Sequence, residues 1–195
     1  MTEKKIAIVI WDGVEELDFA GPYEVLTAWA RGSDDEVSVA TVAEENGPVT
    51  CAHGLTVIPD LAWPEVDGVD VLVLPGGNSG SLLADERFLE RVRAFARSGT
   101  LMTSVCTGAL VFAKAGLLDG RPATTHWGSL EALASYGTDI RVDREARFVD
   151  DGDVITAAGV SAGIDMALHL VARLDSVERA REVRRYIQYD PEPPV

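Results

Sequence analysis

One short, unbroken apolar run, residues 6–10, together with the mostly apolar stretches 69–74 and 100–105, sets the tightest limit on how this 195-residue chain can fold. None alternates as a half-exposed strand would, and each is too short for a buried helix, so each reads as a strand covered on both faces. A further strand is predicted over 36–42, and 49–58, broken at His53-Gly54, reads as two extended pieces around a turn. Helices are predicted from Pro22, a residue suited to the first helical position, to just before Gly32, and over 86–97, 107–118, 129–136, 161–174 and 176–187. A short strand over 124–126 and a hairpin joining 140–149 to 154–157 through Asp150-Asp151-Gly152-Asp153 complete the pattern. Helices alternating with buried strands predict an α/β fold, a single domain over 1–195 built on one open, mostly parallel sheet with helices on both faces.

Charge narrows the partners. Seventeen basic against 32 acidic side chains leave a net charge of −15, which opposes binding to phosphate backbones or anionic lipid, so neither nucleic acid nor a membrane is an expected partner. Two cysteines cannot form a disulfide scaffold, and neither a secretory leader nor a run of about 20 uncharged apolar residues is present. The expectation is a cytoplasmic protein.

In an open α/β sheet, reactive groups gather outside the carboxyl ends of the strands. Cys106, in SVCTGALVF, falls at such an end, directly before a helix, with the small residues Thr107, Gly108 and Ala109 permitting a sharp turn. That is the cysteine counterpart of a nucleophile elbow, with the helix N-terminus expected to favour a thiolate and Thr107 N–H to bind developing charge. Pro75-Gly76-Gly77 ends the neighbouring strand and makes Gly77 N–H the expected second donor, with Gly76 and Asn78 beside it. Asp18, between Leu17 and Phe19, is the candidate proton-transfer group; a capping role for the helix beginning at Pro22 is the alternative. His126 is the histidine expected near Cys106, and Asp165 is a secondary pocket candidate that a helix N-terminal role would also explain. No His, Cys or carboxylate set shows zinc spacing and no phosphate-binding glycine loop is present, so neither metal nor cofactor is expected.

Taken together, EELD, LPGGN, SVCTGALVFAKAGLLDGRPATTHW, GVSAGIDMAL and the terminal QYDPEPP resemble the ThiJ/PfpI superfamily, with its class I glutamine amidotransferase-like, flavodoxin-like sandwich. Within it the chain is most similar to the isonitrile hydratase branch, which pairs a nucleophilic Cys followed by Thr with an Asp in an LD-x-x-GP context: here Cys106, Thr107 and Asp18. That resemblance implies a homodimer, with Trp11, Trp29, Trp63, Tyr186 and Tyr189 as apolar material for the interface. It also implies hydration of a small organic isonitrile to an N-substituted formamide. Cys106 would attack the isonitrile carbon, nitrogen would take a proton to give a thioimidate, and Asp18 would activate the water that releases the product. Two departures bear on other branches: Thr107 stands where the protease branch has His, and Asp18 where glyoxalase- and deglycase-like branches have Glu. A glyoxalase- or deglycase-like enzyme of the same superfamily is one alternative, and a cysteine-based oxidative or electrophile sensor is an alternative of another class. A third is a ligand-binding module like the sensing half of AraC-type regulators, the chain ending at Val195 being expected to carry no DNA-binding half.

Overall fold

In the computed structural model, which describes residues 3–66 and 68–191, the first unit is β1 (Lys4–Val9), α1 (Glu16–Gly32) and β2 (Val37–Ala43). A two-stranded antiparallel hairpin follows, β3 (Val49–Thr50) with β4 (Thr56–Val57), and then β5 (Leu61–Ala62) and β6 (Val71–Leu74). Next come α2 (Gly80–Ala84), α3 (Glu86–Arg97), β7 (Leu101–Val105), α4 (Gly108–Lys114), β8 (Pro122–Ala123), α5 (Leu130–Tyr136) and β9 (Arg141–Val142). The last elements are β10 (Phe148–Asp150), β11 (Val154–Ala157), α6 (Ala162–Leu174) and α7 (Val177–Tyr186). The end of the QYDPEPP motif, residues 192–194, lies outside the described residues.

Seven strands form the central sheet in the order β10-β11-β7-β6-β1-β2-β5, every pairing parallel except β10 with β11. The chain leaves β1 toward β2 and β5, then crosses back to β6 and β7, so the strand order reverses between β1 and β6. The carboxyl ends of strands diverge at such a reversal, and a crevice forms there. In β1, Ile6 and Ile8 face one apolar cluster while Ala7 and Val9 face the other, which is why the run lacks alternation. The first cluster packs α1 and α6 on the sheet through Trp29, Leu26, Met166 and Leu170. The second packs α3, α4 and α5 on the opposite face through Phe88, Val92, Phe112 and Leu133. The sandwich expected from the sequence is the one observed.

Several boundaries differ: the stretch expected over 140–149 divides into β9, paired with β8 in a separate two-stranded sheet, and β10, and the strand expected over 69–74 begins at Val71. The helix α1 starts at Glu16, so Pro22 is its seventh residue and denies the Asp18 carbonyl its i+4 donor. Burial outweighs that loss: Asp18, Phe19, Gly21 and Pro22 are all buried, and Gly21 and Gly163 let α1 and α6 approach closely. Asp18 is therefore inside the helix, not its cap. The helix α4 ends at Lys114, four residues early, because Gly116 turns the chain at φ = +81°. The strand expected over 124–126 lies at 122–123, and Thr124 instead bonds sideways, its N–H to Thr156 Oγ1 at 2.9 Å.

Trp29 and Trp63 are core residues, which removes them from the interface material expected above; Tyr186 is exposed. No helix among the described residues is long and apolar enough to cross a membrane. Trp29 is fully buried and its Nε1 donates to Asp175 Oδ2 at 2.9 Å, tying α1 to the end of α6. Trp29→Ala is expected to lower unfolding stability by about 3–5 kcal/mol, read as a fall in urea midpoint; a loss below ~1 kcal/mol would contradict this packing.

Candidate active site

The strand β7 delivers Cys106 to the carboxyl edge of the sheet, and α4 starts two residues later. Cys106 adopts φ = +56°, a left-handed conformation that costs a non-glycine residue on the order of 1–3 kcal/mol. Its neighbours hold it there. Cys106 N–H donates to the carbonyls of Ala157 (3.2 Å) and Ala158 (2.9 Å), and its own carbonyl accepts from the buried Thr125 hydroxyl at 2.6 Å. Gly108 makes the turn possible, since a Cβ there would collide with the Leu74 carbonyl oxygen.

Asp18 reaches the same point from α1. It is fully buried, and its Oδ2 accepts from Gly76 N–H at 2.8 Å. Its Oδ1 makes no geometrically regular hydrogen bond among the described residues. Burial raises the Asp18 carboxyl to about 7; Gly76 N–H works against this, the Glu15 charge adds to it, and the Cys106 thiol opposes it. Gly76 has no room for a side chain, because a Cβ would stand 2.5 Å from Thr107 N and 2.9 Å from Asp18 Oδ2. Its part is to hold the carboxylate against the cysteine turn.

The thiol behaves contrary to the sequence expectation. Burial first, and then the Asp18 charge, push Cys106 up to about 12, opposed by the N–H groups of Thr107 and Val160 that face the sulfur. One amide from a seven-residue helix does not offset the desolvation of a buried sulfur. The resting pair is a neutral thiol beside a carboxyl that titrates near neutrality.

Gly77 also departs from its expected role. Its N–H donates to Thr107 Oγ1 at 3.0 Å, and the buried Ser79 hydroxyl lies 3.0 Å from the same oxygen. Gly77 and Ser79 thus fix Thr107, and the second amide at the sulfur belongs to Val160 in the loop after β11. Val160, at φ = +41°, is β-branched and carries no turn signal; Ser79 reads as an ordinary loop serine. Asn78 joins two loops, its N–H donating to the Gly13 carbonyl at 2.8 Å. His126 rests on Gly159, one residue from Val160, where a Cβ would collide with the ring. Asp165 is instead bound to Arg147 Nε at 2.8 Å and to the Tyr189 hydroxyl at 3.0 Å. One group of described residues has the spacing to hold a metal ion: Glu15, Glu16 and His53, with ligand atoms within 4.8 Å of one another.

The DJ-1/PfpI family model matches residues 4–173. The chain belongs to that family. It is 38% identical to the isonitrile hydratase of Pseudomonas putida over 97% of this chain and 80% of that protein. It is 30% identical to the HTH-type transcriptional regulator CdhR of Pseudomonas aeruginosa over 88% of this chain, spanning about half (51%) of the regulator. Among solved structures, a ThiJ/PfpI family protein from Pseudomonas syringae superposes with a TM-score of 0.86 at 34% identity, covering 100% of this chain and 78% of that one. The chain is thus similar both to a protein named as an enzyme and to about half of one named as a regulator, so family membership by itself does not fix an activity.

The raised Asp18 value has a signed consequence for stability. A carboxyl whose folded pKa exceeds its ordinary 3.8 stabilises the fold relative to its ionised form below pH 3.8, and that contribution is lost as pH rises through about 7. Asp18→Asn is therefore expected to be more stable than wild type at pH 8, by up to about 4 kcal/mol, with the advantage vanishing near pH 4 in urea titrations. The same substitution removes the charge opposing thiolate formation, so the Cys106 pKa, followed by thiolate absorbance, falls.

Proposed function

We propose that this protein hydrates an organic isonitrile to an N-substituted formamide, with Cys106 as nucleophile on a nucleophile elbow and Asp18 as the proton-transfer group. The observation that carries the reading is the pairing of a neutral buried thiol with a carboxyl titrating at about 7. A carboxyl at that value is a carboxylate for about half the time at neutral pH and can both take and return a proton.

In the first step sulfur bonds to the isonitrile carbon while the thiol proton passes to Asp18. Attack leaves an electron pair on that carbon, so Asp18 returns the proton to carbon and not to nitrogen, giving the thioimidate R–N=CH–S–Cys106. Thr107 and Val160 N–H groups stabilise negative charge on sulfur as the proton leaves. In the second step water adds to the thioimidate carbon, one of its protons moving through Asp18 to nitrogen. The adduct R–NH–CH(OH)–S–Cys106 then collapses: the C–S bond breaks, the hydroxyl proton returns to sulfur, and R–NH–CHO departs. The sum is one isonitrile plus one water, with the enzyme restored.

The 38% likeness to an isonitrile hydratase over nearly the whole chain supports this choice of electrophile. Thr107 after the cysteine, bonded to Gly77, leaves no histidine base of the protease kind at that position. A thiol raised to about 12 counts against a resting thiolate sensor, which depends on facile ionisation.

With phenyl isonitrile followed by absorbance, Cys106→Ala is expected to lose formamide production while keeping the fold. Asp18→Asn should lower kcat/KM by roughly 10²- to 10⁴-fold. The wild-type rate should climb with pH through about 7 as Asp18 ionises. Hydration retained by Cys106→Ala, or a rate that falls across that interval, would overturn the scheme.

A further inference from the structure

A cleft of about 290 Å³ opens against the loop of residues 158–160, the loop whose Ala158 carbonyl accepts Cys106 N–H and whose Val160 N–H faces the sulfur. The rest of its lining includes His126, Trp127, Arg144, Glu145 and Arg147. Small-molecule sites begin at about 300 Å³, so this cleft suits a single ring and not a peptide.

Trp127 is the most exposed large apolar side chain of the described residues, at 80%. It does not sit on a loose loop. A 3-10 turn, Trp127–Ser129, carries it, and His126 fixes that turn at both ends: its Nδ1 accepts from Gly128 N–H at 3.2 Å and its carbonyl from Ser129 N–H at 2.8 Å. The His126 ring lies 5.3 Å from the indole at a 38° tilt and is seated on Gly159. The pair is a preformed aromatic wall whose outer face contributes nothing to folding.

Arg147 supplies the polar group. Its Nε and Nη2 bond Asp165, Nη2 also bonds Ser161 Oγ at 3.1 Å, and Nη1 makes no hydrogen bond among the described residues. A guanidinium held on two nitrogens with a third free is already oriented for an acceptor, so binding one costs little further ordering. Arg144 on the same cleft is taken by Glu131 at 2.6 Å. Both guanidiniums are paired with carboxylates and Glu145 lines the same cleft, so what recommends an acceptor there is the fixed, unbonded Nη1 of Arg147 and not an excess of positive charge.

We propose that this cleft seats the N-substituent of the substrate: an aromatic group packed on Trp127 and bearing an acceptor, a carboxylate, bound by Arg147 Nη1. The proposal rests on the hydratase reading for the reacting group, and it makes Trp127 and Arg147 specificity residues.

The test compares methyl, phenyl and 4-carboxyphenyl isonitrile on wild type, Trp127→Ala and Arg147→Gln. Wild type should favour 4-carboxyphenyl over phenyl isonitrile. Trp127→Ala should raise KM for both aryl substrates about tenfold and leave methyl isonitrile nearly unchanged. Arg147→Gln should abolish the preference for the carboxylate, read as a ratio so that any general effect of losing the Asp165 bond cancels. Equal losses on all three substrates in Trp127→Ala, or none, would overturn the inference. A second arm is independent of turnover: 4-formamidobenzoate is titrated into Cys106→Ala while the Trp127 indole N–H resonance is followed. If wild type hydrates none of the isonitriles yet this resonance moves, the hydratase reading fails and the cleft assignment stands. A resonance that does not move sinks the cleft assignment whatever the turnover.

Discussion

The burial of Asp18 is the constraint on which the rest of the site depends. A carboxyl without access to water, given one backbone amide and no cation, costs free energy when ionised, and the fold nevertheless places it against the cysteine turn. Three elements converge to hold it: the first turn of α1, the Gly76 amide after β6 and the turn after β7. All three lie at the carboxyl edge of the sheet, beside the reversal in strand order. That edge brings together residues 58 and 88 positions apart without a dedicated loop.

Close approach there requires the absence of side chains. Gly76 separates Asp18 from Thr107, and Gly108 lets the cysteine turn pass under the end of β6. The hydroxyls then fix what the glycines allow: Thr125 holds the Cys106 carbonyl, while Ser79 and Thr107 tie the two loops together. Each bond joins residues 19 to 30 positions apart and is buried or partly buried.

The sheet was legible because strands buried on both faces leave short apolar runs without alternation, as residues 6–10 and 71–74 do. Cys106 was legible for a related reason: strand, small residues and helix in succession define a turn from local sequence alone. Misreadings arose wherever tertiary burial overrode a local signal. Pro22 signals a helix start, yet packing against α6 extends α1 six residues earlier. The helix terminus at Thr107 signals a thiolate, yet desolvation and the Asp18 charge dominate. Gly77 carries the glycine expected of an anion-binding turn, but its amide is occupied by Thr107, and the amide at the sulfur comes from Val160, where no local signal exists. Partners that are remote in the chain, such as Thr125 and Ala158 on the Cys106 backbone, are set by strand neighbourhood and leave no mark in a single sequence.

The left-handed conformation of Cys106 has a consequence for how such a site persists over generations. Serine and alanine would bear much the same backbone strain there, so replacing cysteine by either brings no relief. Glycine alone adopts that conformation freely, and glycine has no sulfur. The substitution that would most ease the fold at this position also ends the chemistry, so selection for foldability alone would drift toward silence at the nucleophile. Cys106 at φ = +56° therefore stands at a cost that glycine would avoid, a cost that under the proposed mechanism is offset by the reactivity of its thiol.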